Sequence, residues 1–548
     1  MNERKNWQII HDNREARTES QDVVDILLKN RGLETKKAKE EFMKPTHPEE
    51  ISLADLEIDP REINKAKRRI KKAISDEERI IVYGDYDADG ICATGVFWEA
   101  LHAAKADALP YIPERFSEGY GLNGESLKKL KREQNNLGLV ITVDNGIVAH
   151  EAIKEAKKLG IDVIITDHHQ KEKDVPSAVA VIHTTKISGS AVAWVAAREI
   201  FGNTSGLDLV AIGTIADVLP LLEANRSFAF HGIRALNNTE RPGLLALLKE
   251  ANVRGGVDSY TIGFIIAPRI NSMGRLADAM DSLRLICTID ASRAKDLAMK
   301  LGRTNQERQK VVEEVVVHAN EAAASREWSG VIILGHESYH EGVIGLAAAK
   351  LVERYYRPAI VLSKGEVYSK ASARSIQGFN MIEALQEVSD LWEAGGGHPM
   401  AAGFTIRTEK INEFAKRIDE IAALRLTDEV LSRKLNIDML LNFDALSLSL
   451  AREISCFEPY GLGNYSPTFA SQGVEVLETT TVGEERNHLK MVLRQGGKVL
   501  DAIAFGFGEY LLKLSKGDRI DIAYGVEENV WNGKTNLQLK IKDIRIQR

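Results

Sequence analysis

Four apolar runs in the first half of the chain end on acid or imidazole groups, and no other feature limits the possible folds as tightly. RIIVYGDYDADG carries Asp85, Asp87 and Asp89, and LGLVITVDNG carries Asp144. IDVIITDHHQ carries Asp167, His168 and His169, and LVAIGTIADVLPL carries Asp217. Folding alone gives no reason to gather carboxylates at the ends of buried elements, because each raises the cost of ionising its neighbours. Positive charge among them removes that cost, and a pair of divalent ions is the natural source.

The same runs set the fold class. Between about residues 78 and 220, short β-rich segments (RIIVYG, LGLVITV, IDVIIT) alternate with helical ones (GVFWEALHAA, HEAIKEAKKLG). Such alternation is the mark of a parallel sheet with helices on its faces, where ligands collect at the carboxyl ends of the strands. The expected class is α/β. In DYDADG the three acids are two residues apart, a spacing that puts them on one face of an extended segment, with Gly90 allowing the turn into the next helix. Asp217 is expected at the end of a helix, directly before a proline-containing turn.

Adjacent histidines cannot point the same way in a strand, so one of His168 and His169 is expected to ligate metal while the other faces a phosphate. Oxygen-rich ligation with one or two imidazoles and no thiolate suits two Mn²⁺ or Mg²⁺ ions better than a structural zinc. A single Asp after a strand is commonly a turn or capping residue; four such sites together are not explained that way. Two metals bridged by an aspartate and a water make a phosphoryl-transfer centre. No GxxxxGK[ST] loop is present, so the economical chemistry is hydrolysis of a phosphate ester.

The remaining organisation follows from composition shifts along the 548 residues, too many for one core. Residues 1–75 read as helical and charged, with 1–50 a separate N-terminal helical segment. Residues 51–290 form the first α/β domain, turning mostly helical after 221. Residues 291–327 read as one long polar helix or a helix pair. A smaller α/β module occupies 328–425, with strands at VIILG and PAIVLS around the helix VIGLAAAKLVERY. From 432 to 548 strands and turns predominate, as in a small OB-fold barrel.

Hydrophobic residues make up 44% and charged residues 28%, and no apolar run approaches the 18 residues of a membrane span. The N-terminus lacks the apolar core of a signal peptide. Cys92, Cys287 and Cys456 are far apart and odd in number, which excludes a cysteine-based zinc site and fits a reducing cytoplasm. The net charge of -7 argues only weakly against a nucleic-acid partner, since bound cations would offset several acids. The basic strings KAKRRIKK (65–72) and KKLKR (128–132) read first as solvated helix faces.

GDYDADG, VDNG, TDHH and ADVLPL resemble motifs I to IV of the DHH phosphoesterase superfamily. The likeness continues through IPERFSEGYGLN (112–123), IAPRINSMGRLADA (266–279), TNQERQ (304–309), HEGVIGLAAAKL (340–351), ASARSIQGFN (371–380), GGHPMAAGF (396–404) and FEPYGLGNYSPTF (457–469). Together these are similar to the superfamily's bacterial single-strand-specific 5′→3′ DNA exonucleases, over roughly residues 50–545. The resemblance implies a DHH domain and a DHHA1 domain joined by a long helix, an OB domain, single-stranded DNA held between the first two, and stepwise release of 5′ mononucleotides.

It also implies metal ligation by Asp85, Asp87, Asp89, Asp144, His168 and Asp217, with His169 at the catalytic centre. Arg374, Ser375, Gly396, Gly397 and His398 would hold substrate phosphates, Arg269 and Arg275 would grip a terminal 5′ phosphate, and Arg115 and Tyr120 would line the DNA path. Structural pairing with nearby acids is the alternative for the two arginines, and an ordinary glycine-rich turn for the glycines. In the barrel, Tyr460, Phe469, Phe505, Phe507, Tyr510 and Trp531 are either base-stacking platforms or core. Partners implied are single-stranded DNA, a single-strand-binding protein and a helicase, with a monomeric chain in the cytoplasm.

Some loops depart from the pattern: VIHTTK (181–186) stands where an Asn-Pro pair is usual, Ala371 and Ala373 replace glycines, and GLGNYSP replaces a GNP-like turn. No further C-terminal partner-binding domain is expected. Two other functions remain open at this stage. One is a phosphatase for short oligonucleotides or 3′-phosphoadenosine 5′-phosphate, against which the barrel counts. The other is an inactive scaffold in a replication complex, against which the complete acid set counts.

Overall fold

The structure is a computed structural model and describes residues 5–11, 20–324, 330–531 and 533–547. The chain forms two compact units, one of Gln8–Gly302 with Asn436–Arg548 and one of Met1–Trp7 with Arg303–Leu435.

The first unit contains a five-stranded, wholly parallel sheet in the order Ala108–Tyr111, Arg79–Tyr83, Leu137–Val143, Asp162–Asp167, Ala180–His183. The strands are near-continuous apolar runs because both faces are covered. Ile80, Val82, Leu139 and Ile141 pack on one side with helices Pro60–Ser75, Ala88–Ala103, Gly189–Phe201 and Leu207–Ala216. Ile81, Tyr83, Val140 and Ile165 pack on the other with helices Gly124–Glu133 and His150–Lys158. The order reverses between Arg79–Tyr83 and Leu137–Val143, which opens a crevice beyond their carboxyl ends. Asp85 and Asp144 follow those two strands.

The same unit carries a barrel of five strands, Phe469–Val482, His488–Gln495, Lys498–Ala504, Lys534–Ile546 and Arg519–Trp531, closed by pairing of the first with the last. Phe443, Phe457, Phe469, Met491 and Tyr524 fill it. The expectation of a helical first 75 residues needs correction at Asn6–His11, where the alternating NWQIIH forms a strand. Helices Ser20–Asn30 and Lys36–Met43 do form, and Val23, Leu27, Leu28 and Phe42 join the barrel core. Arg226, 1% exposed, fastens the barrel's approach to the parallel-sheet region. Its guanidinium lies 3.9 Å from the Phe42 ring centroid and donates to the carbonyls of Phe42, Cys456, Phe457 and Glu458.

The polar stretch after residue 290 is one continuous helix, Ala291–Ala324, and the two units divide within it. The second unit has a mixed sheet in the order Trp392–His398, Ala401–Arg407, Tyr368–Arg374, Ala359–Ser363, Ile332–His336. Only the last two strands are parallel, joined through helix Ile344–Tyr355. Phe379, Phe404, Phe414 and Ile418 are among its core.

Candidate metal centre

The aspartate loop departs from a period-two strand. The strand ends at Tyr83, Asp87 is the N-cap of helix Ala88–Ala103, and Asp89 sits in the helix's first turn. Asp87 Oδ1 accepts from Gly90 N at 3.0 Å, the usual service of an Asp N-cap. Close packing within the loop permits this arrangement. A Cβ on Gly90 would lie 2.6 Å from Asp85 Cβ, so the helix can approach the loop only with glycine there.

Asp144 directly follows its strand at φ 62°, a left-handed conformation costly for a residue with a Cβ. Asp167 ends the next strand, and Asp217 is the C-cap of helix Leu207–Ala216, as its place before the proline turn suggests. Val218 beside it also has positive φ, at 57°.

These segments bring the expected ligands together. His168 Nε2 lies 3.1 Å from Asp144 Oδ1, 3.7 Å from Asp217 Oδ2 and 3.9 Å from Asp89 Oδ2. Three overlapping groups each have ligand atoms within 4.8 Å of one another: Asp85, Asp87 and Asp144; Asp89, His168 and Asp217; and Asp144, His168 and His169. Asp144 is shared by two groups, as a carboxylate that bridges two ions would be, and His168 links it to the group of Asp89 and Asp217.

Asp89 is held from behind. Gly189 N donates to its Oδ2 at 2.7 Å and Ser190 N to its Oδ1 at 3.0 Å, so the N-terminus of helix Gly189–Phe201 fixes the carboxylate's plane. Helix Leu207–Ala216 passes close enough that a Cβ on Gly213 would stand 2.2 Å from Asp89 Oδ1. Sequence reasoning does not single out Gly189 and Ser190. The N-cap signal of Ser188 marks a helix start in ISGSAV, but only the fold shows which acid that start receives.

Electrostatics mark the pocket as short of positive charge. Burial raises the Asp144 carboxyl well above the usual range, and Asp89, Asp87 and Asp85 push it further. Asp85 is raised by burial and by Asp87. Burial also raises Asp87, with Asp89 adding to the effect. Asp217 is pushed up to about 8 by burial and then by Asp89 and Asp87. Asp144 Oδ1 is buried without a hydrogen-bond partner. A buried oxygen with no donor, among oxygen-rich neighbours and an imidazole, fits a hard divalent cation.

The two histidines divide their roles. His168 is buried, and burial holds its pKa below the ordinary value. His169 Nδ1 lies 2.8 Å from Asp167 Oδ1, and its Nε2 lies 3.2 Å from the Tyr120 hydroxyl. Burial would lower His169, but Asp167's hydrogen bond and charge prevail and raise it to about 9. Asp167 also accepts from the backbone N–H groups of Ile147, His168 and His169, so its oxygens are committed to placing the histidines.

The other candidates lie as follows. Tyr120 is half exposed beside His169, and Arg115 lies over the Tyr86 ring at 4.9 Å, close to Asp85. Tyr86, inside DYDADG, carries no sequence-based expectation, yet its ring sits between Arg115 and Tyr120. Burial and then Asp85 push the Tyr86 hydroxyl up to about 12, and Arg275 on helix Ala267–Leu276 is near enough to offset part of that rise. Arg269 pairs with Glu250 at 2.8 Å and donates to Ile265 O, so a nearby acid engages it.

In the second unit, Arg374 ends a strand and donates to Ser372 Oγ and Ala373 O. Ser375 Oγ donates to Phe379 O at 2.6 Å. Gly396, Gly397 and His398 lie in an exposed strand paired with Ala401–Arg407, where a turn was the alternative. A Cβ on Gly397 would collide with Ala402, whereas Gly396 faces open space. In the barrel, Phe469, Phe507 and Tyr510 are core, Tyr460 is half-buried and donates to Ile454 O, and Phe505 is exposed beside Lys540. The side chain of Trp531 lies outside the described residues.

Three family models match the chain: the DHH family N-terminal domain over residues 79–214, the DHHA1 domain over 328–424 and the RecJ OB domain over 437–543. The single-stranded-DNA-specific exonuclease RecJ of Bacillus subtilis is 36% identical over 542 residues, covering 96% of this chain and 68% of the relative. The protein of the same description from Haemophilus influenzae is 32% identical, covering 87% and 90%. The crystal structure of RecJ in complex with Mn²⁺ from Thermus thermophilus matches with a TM-score of 0.84 at 29% identity, over 100% of this chain and 80% of that one. The same protein with Mg²⁺ matches at a TM-score of 0.76, with 27% identity and coverage of 99% and 78%.

Proposed function

The chain belongs to the RecJ family, and we propose that it is a metal-dependent exonuclease that degrades single-stranded DNA from the 5′ end to 5′ mononucleotides. The observation that carries the reading is the convergence of Asp85, Asp87, Asp89, Asp144, His168 and Asp217 on one pocket with an unpartnered Asp144 oxygen. A complete acid set argues against an inactive scaffold, and the RecJ OB match at 437–543 argues against a small-molecule phosphatase.

The cofactor is a pair of divalent ions, Mn²⁺ or Mg²⁺. Bound there, they supply an acidified water and neutralise charge on the phosphate oxygens. Asp144 groups with Asp85 and Asp87 on one side of the pocket, His168 groups with Asp89 and Asp217 on the other, and Asp144 and His168 meet between them. His169, whose ring nitrogens meet Asp167 and the Tyr120 hydroxyl beside the pocket, is assigned to a phosphate oxygen. Tyr120 and Arg115 line the approach beside it. Arg275, Arg269, Arg374, Ser375, Gly396, Gly397 and His398 are assigned to substrate, with Arg269 the weakest member because Glu250 already occupies it.

The domain limits proposed are 51–290, 328–425 and 432–548, with 291–327 as the connector. A monomer in the cytoplasm, working with a helicase and a single-strand-binding protein, completes the reading; its three unpaired cysteines are compatible with a reducing compartment. Among the described residues, no helix is long and apolar enough to cross a membrane.

The test is a polarity assay. Single strands labelled at the 5′ or the 3′ end are incubated with Mn²⁺ omitted and then restored. Rapid metal-dependent release of the 5′ label as mononucleotide is the expected result. Cleavage confined to di- to pentanucleotides, or release from the 3′ end first, would overturn it.

A further inference from the structure

The aspartate loop is braced by an element that the ligand set does not include. Helix Ala267–Leu276, which carries PRINSMGR, runs against residues 86–88. Asn271 Oδ1 accepts from Ala88 N at 2.7 Å. One turn on, a Cβ on Gly274 would lie 2.6 Å from the Tyr86 carbonyl oxygen, so glycine lets the helix backbone close on the loop. Asn271 and Gly274 are three apart and therefore share a helix face. A π-helical turn, Thr261–Ile266, leads directly into this helix and sets the rotation at which that face is presented.

The bond from Ala88 has a specific consequence. Ala88 is the first residue of the helix, and its N–H is one of the four that no helical carbonyl can satisfy. The neighbouring N–H groups are already taken within the loop: Tyr86 N donates to Asp85 Oδ1, and Gly90 N to Asp87 Oδ1. Without Asn271, the Ala88 N–H would compete for the oxygens of Asp85 and Asp87 that face the pocket. An amide oxygen satisfies it without adding another negative charge to a cluster whose acids are already crowded.

We infer that Asn271 is a positioning residue for the metal centre: by capping Ala88 it leaves the Asp85 and Asp87 carboxylates and the first turn bearing Asp89 free to hold cations. This rests on the ligand assignment above. Removal of partners that orient metal ligands characteristically weakens metal binding about 10- to 100-fold.

The experiment is calorimetric titration of Mn²⁺ into the full chain, with no substrate present, for the native protein and for Asn271→Ala, Asn271→Asp and Asp89→Ala. Thermal unfolding of each in EDTA is recorded alongside. Asn271→Ala is expected to weaken Mn²⁺ binding about 10-fold or more, while Asn271→Asp, which keeps the acceptor oxygen, retains native affinity or tightens it. The EDTA melting temperature of Asn271→Ala should lie within about 4 °C of the native value, the effect of roughly one capping interaction. Native affinity in Asn271→Ala, or an equal loss in Asn271→Asp, overturns the inference. Native affinity in Asp89→Ala instead overturns the ligand assignment beneath it. Should the alanine variant not fold, Asn271→Ser takes its place with the same expected loss.

Discussion

Gly189 lies so close to Asp144 that a Cβ on it would stand 2.2 Å from Asp144 Oδ1 and 2.6 Å from Asp144 Cβ. The same glycine donates its N–H to Asp89, so one residue lacking a side chain sets the spacing of two acids from different elements. Asp144 cannot retreat easily, because its backbone is already in the left-handed region.

Gly189→Ala should therefore displace Asp144 and weaken Mn²⁺ binding by at least about 10-fold. Titration calorimetry reads this directly. Native affinity in the variant would mean that the close approach has no bearing on the metal centre.

Asp144→Ala removes the residue shared by two ligand groups. Turnover should fall by on the order of 10³-fold or more, a loss typical of removing a principal electrostatic contact, while single-strand binding measured by anisotropy in EDTA persists. Retained turnover would refute the role assigned to Asp144.

Stability of the metal-free protein should fall as pH rises from about 4 to 8. Asp217 titrates near 8 in the folded protein, and Asp144 and Asp85 are also raised by burial and neighbouring acids. An unfolded aspartate titrates near 4. In that window the folded state binds more protons than the unfolded chain, so each step up in pH favours unfolding. Mn²⁺ reverses the trend because it binds the deprotonated acids, and its affinity should rise over the same range. Melting curves in EDTA and in Mn²⁺ at several pH values check both slopes; a metal-free protein that gains stability toward pH 8 would contradict the electrostatic picture.

Arg226→Ala leaves four carbonyls without their common donor and opens space against Phe42. Bonds to a charged donor contribute about 1.5–3 kcal/mol each at most and overlap here, so a loss on the order of 3 kcal/mol is expected in urea denaturation. A change under about 0.5 kcal/mol, the range of ordinary surface substitutions, would show that the guanidinium is not what fastens the barrel.

Much of this molecule can be read along the chain. Buried parallel strands announce themselves as apolar runs, and the acids that close them fall at the sheet's carboxyl edge by geometry alone. Asp85, Asp144 and Asp167 are all findable this way, Asp217 is findable as the end of an apolar helix before a proline turn, and the long polar helix is legible too. The period-two reading of Asp85, Asp87 and Asp89 fails because local spacing cannot tell where a strand stops. Packing of helix Ala88–Ala103 on the loop, permitted by Gly90, makes Asp89 part of the helix. The strand Asn6–His11 is masked by the charged sequence around it.

Residue type and periodicity, both properties of the linear chain, settle the set of chemical groups and the layered fold that delivers them to one edge. Which of those groups share space is settled only by folding: Gly189 between Asp89 and Asp144, Asn271 on Ala88, Arg226 across three distant segments. Those contacts join residues roughly 45 to 230 positions apart, and no local pattern encodes a distance that exists only once the core has closed.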